Sequence, residues 1–270
     1  MSIKIFNEDC LKKMKELPDK SVDLFICDLP YGETISTWDC KIDLVQFWAE
    51  FKRLRKSKRT ACIHFCSTKF GYTLIKSNEK MFKMDMVWKK RNKTGGLHAR
   101  NRPLRNHEMV YFFYEQAPKY NRDKYHKRIQ THKEPPNPAS VAEEKDERIN
   151  EKGLSAHGWN IKHMDKPRVA HFDPKLPLSV VEEFIEPAED EPKSMFESTK
   201  VFIGKRHHQT EKPQDILEFF LKYWTDEGDT VLDPTMGSGS TGVACKKLGR
   251  HFIGYELDEK IFEVSKNRLN

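Results

Sequence analysis

The stretch TVLDPTMGSGSTGVACKKLGRHFIGYELD, residues 230–258, constrains the fold of this chain more than any other. An apolar run ends in Leu232-Asp233, a glycine-rich turn follows, an amphipathic segment begins at Ser240, and a second apolar run ends at Glu256. Strand, tight turn, helix and strand in this order predict a unit of parallel sheet with a ligand at the carboxyl ends of its strands. Gly237, Gly239 and Gly242 satisfy G-x-G-x-x-G, a weak pattern by itself.

Two ligands are to be compared for such a turn. A dinucleotide would set its pyrophosphate against the helix start, where Asp233 would oppose it with like charge. S-adenosylmethionine carries no phosphate, and the ammonium of its methionine end would be attracted by Asp233. Glu256, closing the next strand, suits ribose hydroxyls in either case. Only 28 residues follow Gly242, too few for the second half of an unpermuted dinucleotide fold. S-adenosylmethionine is the expected cofactor. Upstream, in HHQTEKPQDILEFFLKYW, Pro213 is placed as the first residue of a helix. Thr210 and Lys212 just before it are candidates for holding the cofactor's carboxylate with free backbone N–H groups, an ordinary capped helix being the plainer alternative.

The rest of the chain is consistent with one large α/β sheet. Strands are predicted at Ile3–Phe6, Val22–Cys27, Thr60–Phe65, Met84–Trp88, Met109–Tyr114, Thr230–Leu232 and His251–Tyr255. Helices are predicted at Leu11–Leu17, Leu44–Leu54, between the strands at 60 and 84, from Pro213 to Trp224, at Ser240–Leu248 and at Asp258–Leu269. Between Glu134 and Lys200 the pattern fails: 8 of 14 prolines fall there, with 15 acidic and 9 basic residues. That net −6 leaves +13 on the rest of a chain of formal charge +7, so the body is expected to meet a polyanion. No eighteen-residue apolar run is present, and MSIKIFNEDC lacks a signal-peptide pattern, so no membrane partner and a cytoplasmic setting are expected. The six cysteines, 10, 27, 40, 62, 66 and 245, read as reduced and buried. Cys62-Ile63-His64-Phe65-Cys66 fits a strand better than a metal site, and no metal is expected.

CDLPYG, residues 27–32, ends the second predicted strand with a carboxylate, a proline and an aromatic ring. A turn explains the proline without explaining Asp28 and Tyr31.

In this order, DLPYG, HQTEKP and DPTMGSGSTGVAC…GYELD resemble the amino-group DNA methyltransferases, which modify adenine N6 or cytosine N4. The motif order is similar to their permuted beta class. The resemblance covers the chain apart from the proline-rich insert and implies a Rossmann-like fold, a largely parallel seven-stranded sheet flanked by helices. It implies a catalytic half at 1–116, a target-recognition insert at 117–200 and a cofactor half at 201–270. It assigns catalysis to Asp28, Leu29, Pro30 and Tyr31; Leu29 stands where the family has a second proline, and its carbonyl still serves. It assigns the cofactor to Asp233, Gly237, Gly239 and Glu256, with Ser240 and Thr241 at the helix start, and to Thr210 and Lys212. Asp9 resembles the acidic residue that reaches the adenine, a helix cap being equally consistent.

An exocyclic amine is a poor nucleophile because its lone pair is delocalised into the ring. The Asp28 carboxylate and Leu29 carbonyl would accept its two N–H groups and free that pair, with Tyr31 stacking on a base flipped out of the duplex. Lys89, Lys90, Arg91, Lys93, Arg100, Arg102 and Arg105 form a basic segment around Gly95-Gly96 suited to phosphates, and Tyr120 and Tyr125 alternate with basic residues. Double-stranded DNA is the expected partner and adenine N6 the expected target, Asp28 being acidic where serine leans to cytosine. A homodimer and a cognate restriction endonuclease, in a prokaryotic or phage setting, accompany the resemblance. The competing readings are an RNA methyltransferase, a non-catalytic DNA-binding subunit and, disfavoured by Asp233, a nicotinamide oxidoreductase.

Overall fold

The computed structural model describes residues 1–32, 42–94, 100–101, 103–131, 169–173, 180–182 and 211–270, with backbone alone at 91–94, 127–131, 169–173 and 180–182. Two compact units are present, Met1–Asn121 with Leu178–Asn270, and Arg122–Pro177.

The first unit holds β1 (Ile3–Phe6), α1 (Cys10–Lys13), β2 (Leu24–Cys27), α2 (Leu44–Leu54), β3 (Ala61–Cys66), α3 (Thr68–Ser77), β4 (Phe82–Thr94) and β5 (Arg105–Phe113). The second contributes α4 (Arg122–Tyr125) and the antiparallel pair β6 (Lys127–Thr131) and β7 (Val169–Asp173). The chain returns to the first unit with β8 (Val180–Glu182), α5 (Gln214–Trp224), β9 (Thr230–Asp233), α6 (Ser240–Leu248), β10 (His251–Tyr255) and α7 (Glu259–Leu269).

One sheet runs in the order β1-β10-β9-β2-β3-β5-β4-β8. Every pair from β1 to β3 is parallel, β5 is antiparallel to both neighbours, and β8 lies parallel to β4. This is the expected mostly parallel Rossmann-like sheet, with the three-residue β8 as an eighth strand at its edge. β2 and β3 are buried at every position because helices cover both faces, which is why β2 reads as an unbroken apolar run and β3 as one interrupted by His64 alone. Alternation still sorts their side chains: Phe25 meets Phe51 of α2 on one face at 4.9 Å, while Phe65 and Phe112 meet Phe220 of α5 on the other, each at 5.8 Å.

Capping follows the local sequence. Asp43, Ser67 and Asp258 accept backbone N–H groups at the starts of α2, α3 and α7. Pro213 is the N-cap of α5, and the helix starts at Gln214, one position after the start the sequence suggested. Arg250, 5% exposed, donates to carbonyls at the ends of two helices: Leu221 at 3.4 Å and Thr225 at 3.0 Å after α5, and Leu248 of α6. The described cysteines, 10, 27, 62, 66 and 245, are buried and free as expected; Cys40 lies outside the described residues.

Candidate active site

The sheet order puts β2 and β9 side by side and parallel, so the loops leaving their carboxyl ends meet although some 200 residues separate them. The contact is direct: the Thr235 hydroxyl donates to the Asp28 carbonyl at 3.0 Å. That bond fixes the first peptide of the Asp28-Leu29-Pro30-Tyr31 loop. The Tyr31 hydroxyl donates to Asp28 Oδ1 at 3.0 Å, and burial pushes this phenol well above its ordinary pKa, with the Asp28 charge adding to the effect. The Tyr31 ring lies nearly parallel to Phe70, centroids 5.0 Å apart. Beside these rings is a cavity of about 190 Å³, lined among others by Gly32, Ile42, Lys69 and Thr73. Leu29 is buried and anchors the loop in the core.

The second loop, after β9, gathers two carboxylates with the glycine turn between them. Asp233 ends β9, almost wholly buried, and accepts from the Thr241 hydroxyl at 2.7 Å and the Thr235 N–H at 3.1 Å. Burial raises its carboxyl to about 7 despite those bonds. Glu256, at the end of β10, accepts from the N–H groups of Gly237 at 3.0 Å and Asp258 at 2.9 Å, and burial raises its pKa too. Gly237 and Gly239 have φ of +53° and +81°, a backbone only glycine adopts without strain. A Cβ on Gly237 would touch nothing within 4 Å, so the peptide there faces open space. Ser240 donates to Glu211, which pairs with Arg268 at 2.7 Å. Two desolvated carboxylates whose described partners are only hydroxyl and backbone groups fit a ligand bearing an ammonium at one end and a diol at the other.

Lys212, Asp9 and Tyr120 have these surroundings in the structure. Lys212, expected at a cofactor carboxylate, contacts Asp28 Oδ2 with its ammonium and lies 3.8 Å from Glu108. Burial opposes its charge, yet the Asp28 and Glu108 carboxylates prevail and raise its pKa. Asp9 caps α1, accepting from Lys12 N at 3.1 Å, on the loop after β1 and beside the β10 end, where Asn7 donates to the Glu256 carbonyl at 2.9 Å. Tyr120 stacks on Tyr223 at 5.3 Å, which engages its ring. Thr210 and Arg102 lie outside the described residues, and the side chains of Arg91 and Lys93 are not described. Lys89, Arg100 and Arg105 are exposed, Lys90 half-buried against Glu108, and Tyr125 belongs to the second unit.

Sequence reasoning missed Glu108. It stands at the end of the basic segment, on β5, and its place beside Lys212 depends on strand pairing that no local spacing reveals. Sequence reasoning also missed that Cys27 joins Cys62 and His64, their ligand atoms all within 4.8 Å. The group is packed among Phe47, Trp48 and Phe113, and His64 Nδ1 has no hydrogen-bond partner among the described residues. A metal-bound imidazole ordinarily gives that nitrogen to an acceptor, so this cluster is core.

A Rossmann-like sheet with these two loops on adjoining parallel strands has the architecture of a methyltransferase. The solved structures it resembles include the M1.HpyAVI–SAM complex (TM-score 0.56, 22% identity, 99% of this chain and 100% of that one) and the cytosine-N4-specific PvuII DNA methyltransferase (0.60, 14%, 100% and 87%). The DNA methylase family model, for N6 and N4 methyltransferases, matches residues 22–267, and the chain belongs to that family. Type II methyltransferase M.HinfI of Haemophilus influenzae is 26% identical over 98% of this chain and 67% of its own. The chain spans about a quarter of M2.LlaDCHI of Lactococcus lactis subsp. cremoris, matching 28% of each chain at 43% identity. Among the described residues, no helix is long and apolar enough to cross a membrane.

Proposed function

We propose that this chain transfers a methyl group from S-adenosylmethionine to the exocyclic amine of a base flipped out of duplex DNA, with adenine N6 as the target. The observation that carries the reading is the Thr235–Asp28 contact, which joins the amine-binding loop to the cofactor loop across β2 and β9. Asp233 would hold the donor's ammonium and Glu256 its ribose hydroxyls, matching the buried charge each presents. When bound, the donor supplies an electrophilic methyl group on a sulfonium. The chain's own work is to prepare the nucleophile. Asp28 and the Leu29 carbonyl accept the amine's N–H groups and draw its lone pair out of the ring, an arrangement fixed before reaction and strengthened as positive charge grows on nitrogen. Tyr31, held by its own hydroxyl bond and backed by Phe70, offers a flat surface beside the cavity for the flipped base.

The adenine reading rests on the acidic residue at position 28. Methylation of unmethylated plasmid by the purified protein, followed by sequencing that detects modified bases, tests base, substrate and target site together. N6-methyladenine at a defined sequence is the expected result; N4-methylcytosine would overturn the choice of base, and modification of matched RNA alone would overturn the DNA substrate. Asp28→Ala is expected to keep cofactor affinity within about twofold and to lose methyl transfer by roughly 100-fold or more, as for removal of a transition-state acceptor. Calorimetry and a radiolabelled-methyl assay on the same preparation read both.

A further inference from the structure

Four charged side chains from separate parts of the chain are strung together beside the Asp28 loop. Lys212 donates to Asp28 Oδ2, its ammonium lies 3.8 Å from Glu108 Oε2, and Glu108 Oε1 accepts from Lys90. The floor is aromatic: the Lys212 ammonium lies 5.1 Å from the Phe65 ring centre and 6.0 Å from that of Trp88, with Lys90 4.9 Å from Trp88. Two ammonium groups and two carboxylates balance there, all of them partly buried.

The two carboxylates are not used alike. Both Asp28 oxygens are engaged, Oδ1 by the Tyr31 hydroxyl and Oδ2 by Lys212. Glu108 Oε2 is buried and takes no hydrogen bond from the described residues. An entering amine needs a remaining lone pair on an Asp28 oxygen, and the bound ammonium, a stronger donor than a neutral N–H, weakens that oxygen as an acceptor. Expelling Lys212 without a new partner would strand a buried cation. The open oxygen of Glu108 removes that obstacle, because closing 3.8 Å to hydrogen-bond length takes a movement of only about 1 Å.

We propose that Lys212 is a shuttling counter-charge, held by Asp28 in the empty site and passed to Glu108 as the base enters, and that Glu108 is the positioning residue that makes the exchange possible. The proposal rests on the reading of Asp28 as the amine acceptor. The ammonium keeps its three protons throughout, so no bond to hydrogen breaks. Glu108 never meets the base and acts only through Lys212.

The test is steady-state methylation of unmethylated plasmid, with S-adenosylmethionine affinity measured on the same variants. Glu108→Gln is expected to lower kcat about tenfold or more and to leave cofactor affinity within twofold. Glu108→Asp, which keeps the charge, is expected to recover most of that loss. Lys212→Met leaves two facing carboxylates without their cation and is expected to lose activity as well. Adding Glu108→Gln to it should cost nothing further, because the route through Lys212 is already gone. Losses that multiply in the double variant, or a Glu108→Gln enzyme with kcat within twofold of wild type, would overturn the shuttle. If Glu108→Gln fails to fold, the comparison of Glu108→Asp with wild type decides: a well-folded, cofactor-binding Glu108→Asp as inactive as Lys212→Met would overturn it. A wild-type protein that methylates no nucleic acid would instead overturn the amine-acceptor reading beneath it.

Discussion

Asp233 shows how one buried carboxyl ties stability to pH. Its pKa is raised by burial from 3.8 to about 7, so the folded protein keeps a proton that the unfolded chain has lost throughout that interval. Stability from this group therefore falls as pH rises from about 4 to about 7 and then levels off. In the proposed role of Asp233 at the donor's ammonium, binding runs the other way, since the ionised form attracts that charge. Cofactor affinity is expected to fall below pH 7, which calorimetry between pH 6 and 8 would measure. Asp233→Asn is expected to lose about tenfold or more in affinity, the loss of one charge-assisted bond, and to flatten this part of the stability profile in thermal melts. Local sequence showed the carboxylate and the glycines, because a strand end and a tight turn are local events. It did not show that Lys212 faces Asp28, because that pairing spans 184 residues and is set by which strands adjoin.

At the scale of elements, periodicity gave α2, α6 and β10 to the residue, since apolar spacing and caps are encoded within each segment. The longer reach of β4 and β5 was not legible. Their outer halves are polar, and backbone pairing with each other extends them beyond their apolar cores. Arg250 is another long-range device, one guanidinium closing the ends of α5 and α6. Arg250→Met is expected to destabilise the protein by about 1–3 kcal/mol, because buried carbonyls would lose their donor. Urea titration reads that cost, and an unchanged midpoint would contradict the role.

Across the whole molecule, charge is the property with a partner in view. The positive balance outside residues 134–200 is expected to make DNA affinity fall steeply with salt, by the number of phosphates engaged. Replacing exposed Arg100 and Arg105 with glutamine should reduce the slope of log affinity against log salt by about 1 for each phosphate no longer neutralised, as fluorescence anisotropy would show. A slope unaltered by both changes would assign the phosphates to other cations of the chain.

The order β1-β10-β9-β2 also governs how this protein comes into being. Strands β1 and β2 are not neighbours; they are parted by β9 and β10, which follow β2 by about 200 residues in the chain. During synthesis β1 therefore has no partner among the described strands until residue 255 has left the ribosome, while β2 and β3 can already pair. This part of the sheet waits on that late arrival, and the earlier chain must tolerate an unmatched strand edge until β9 and β10 take their places between β1 and β2.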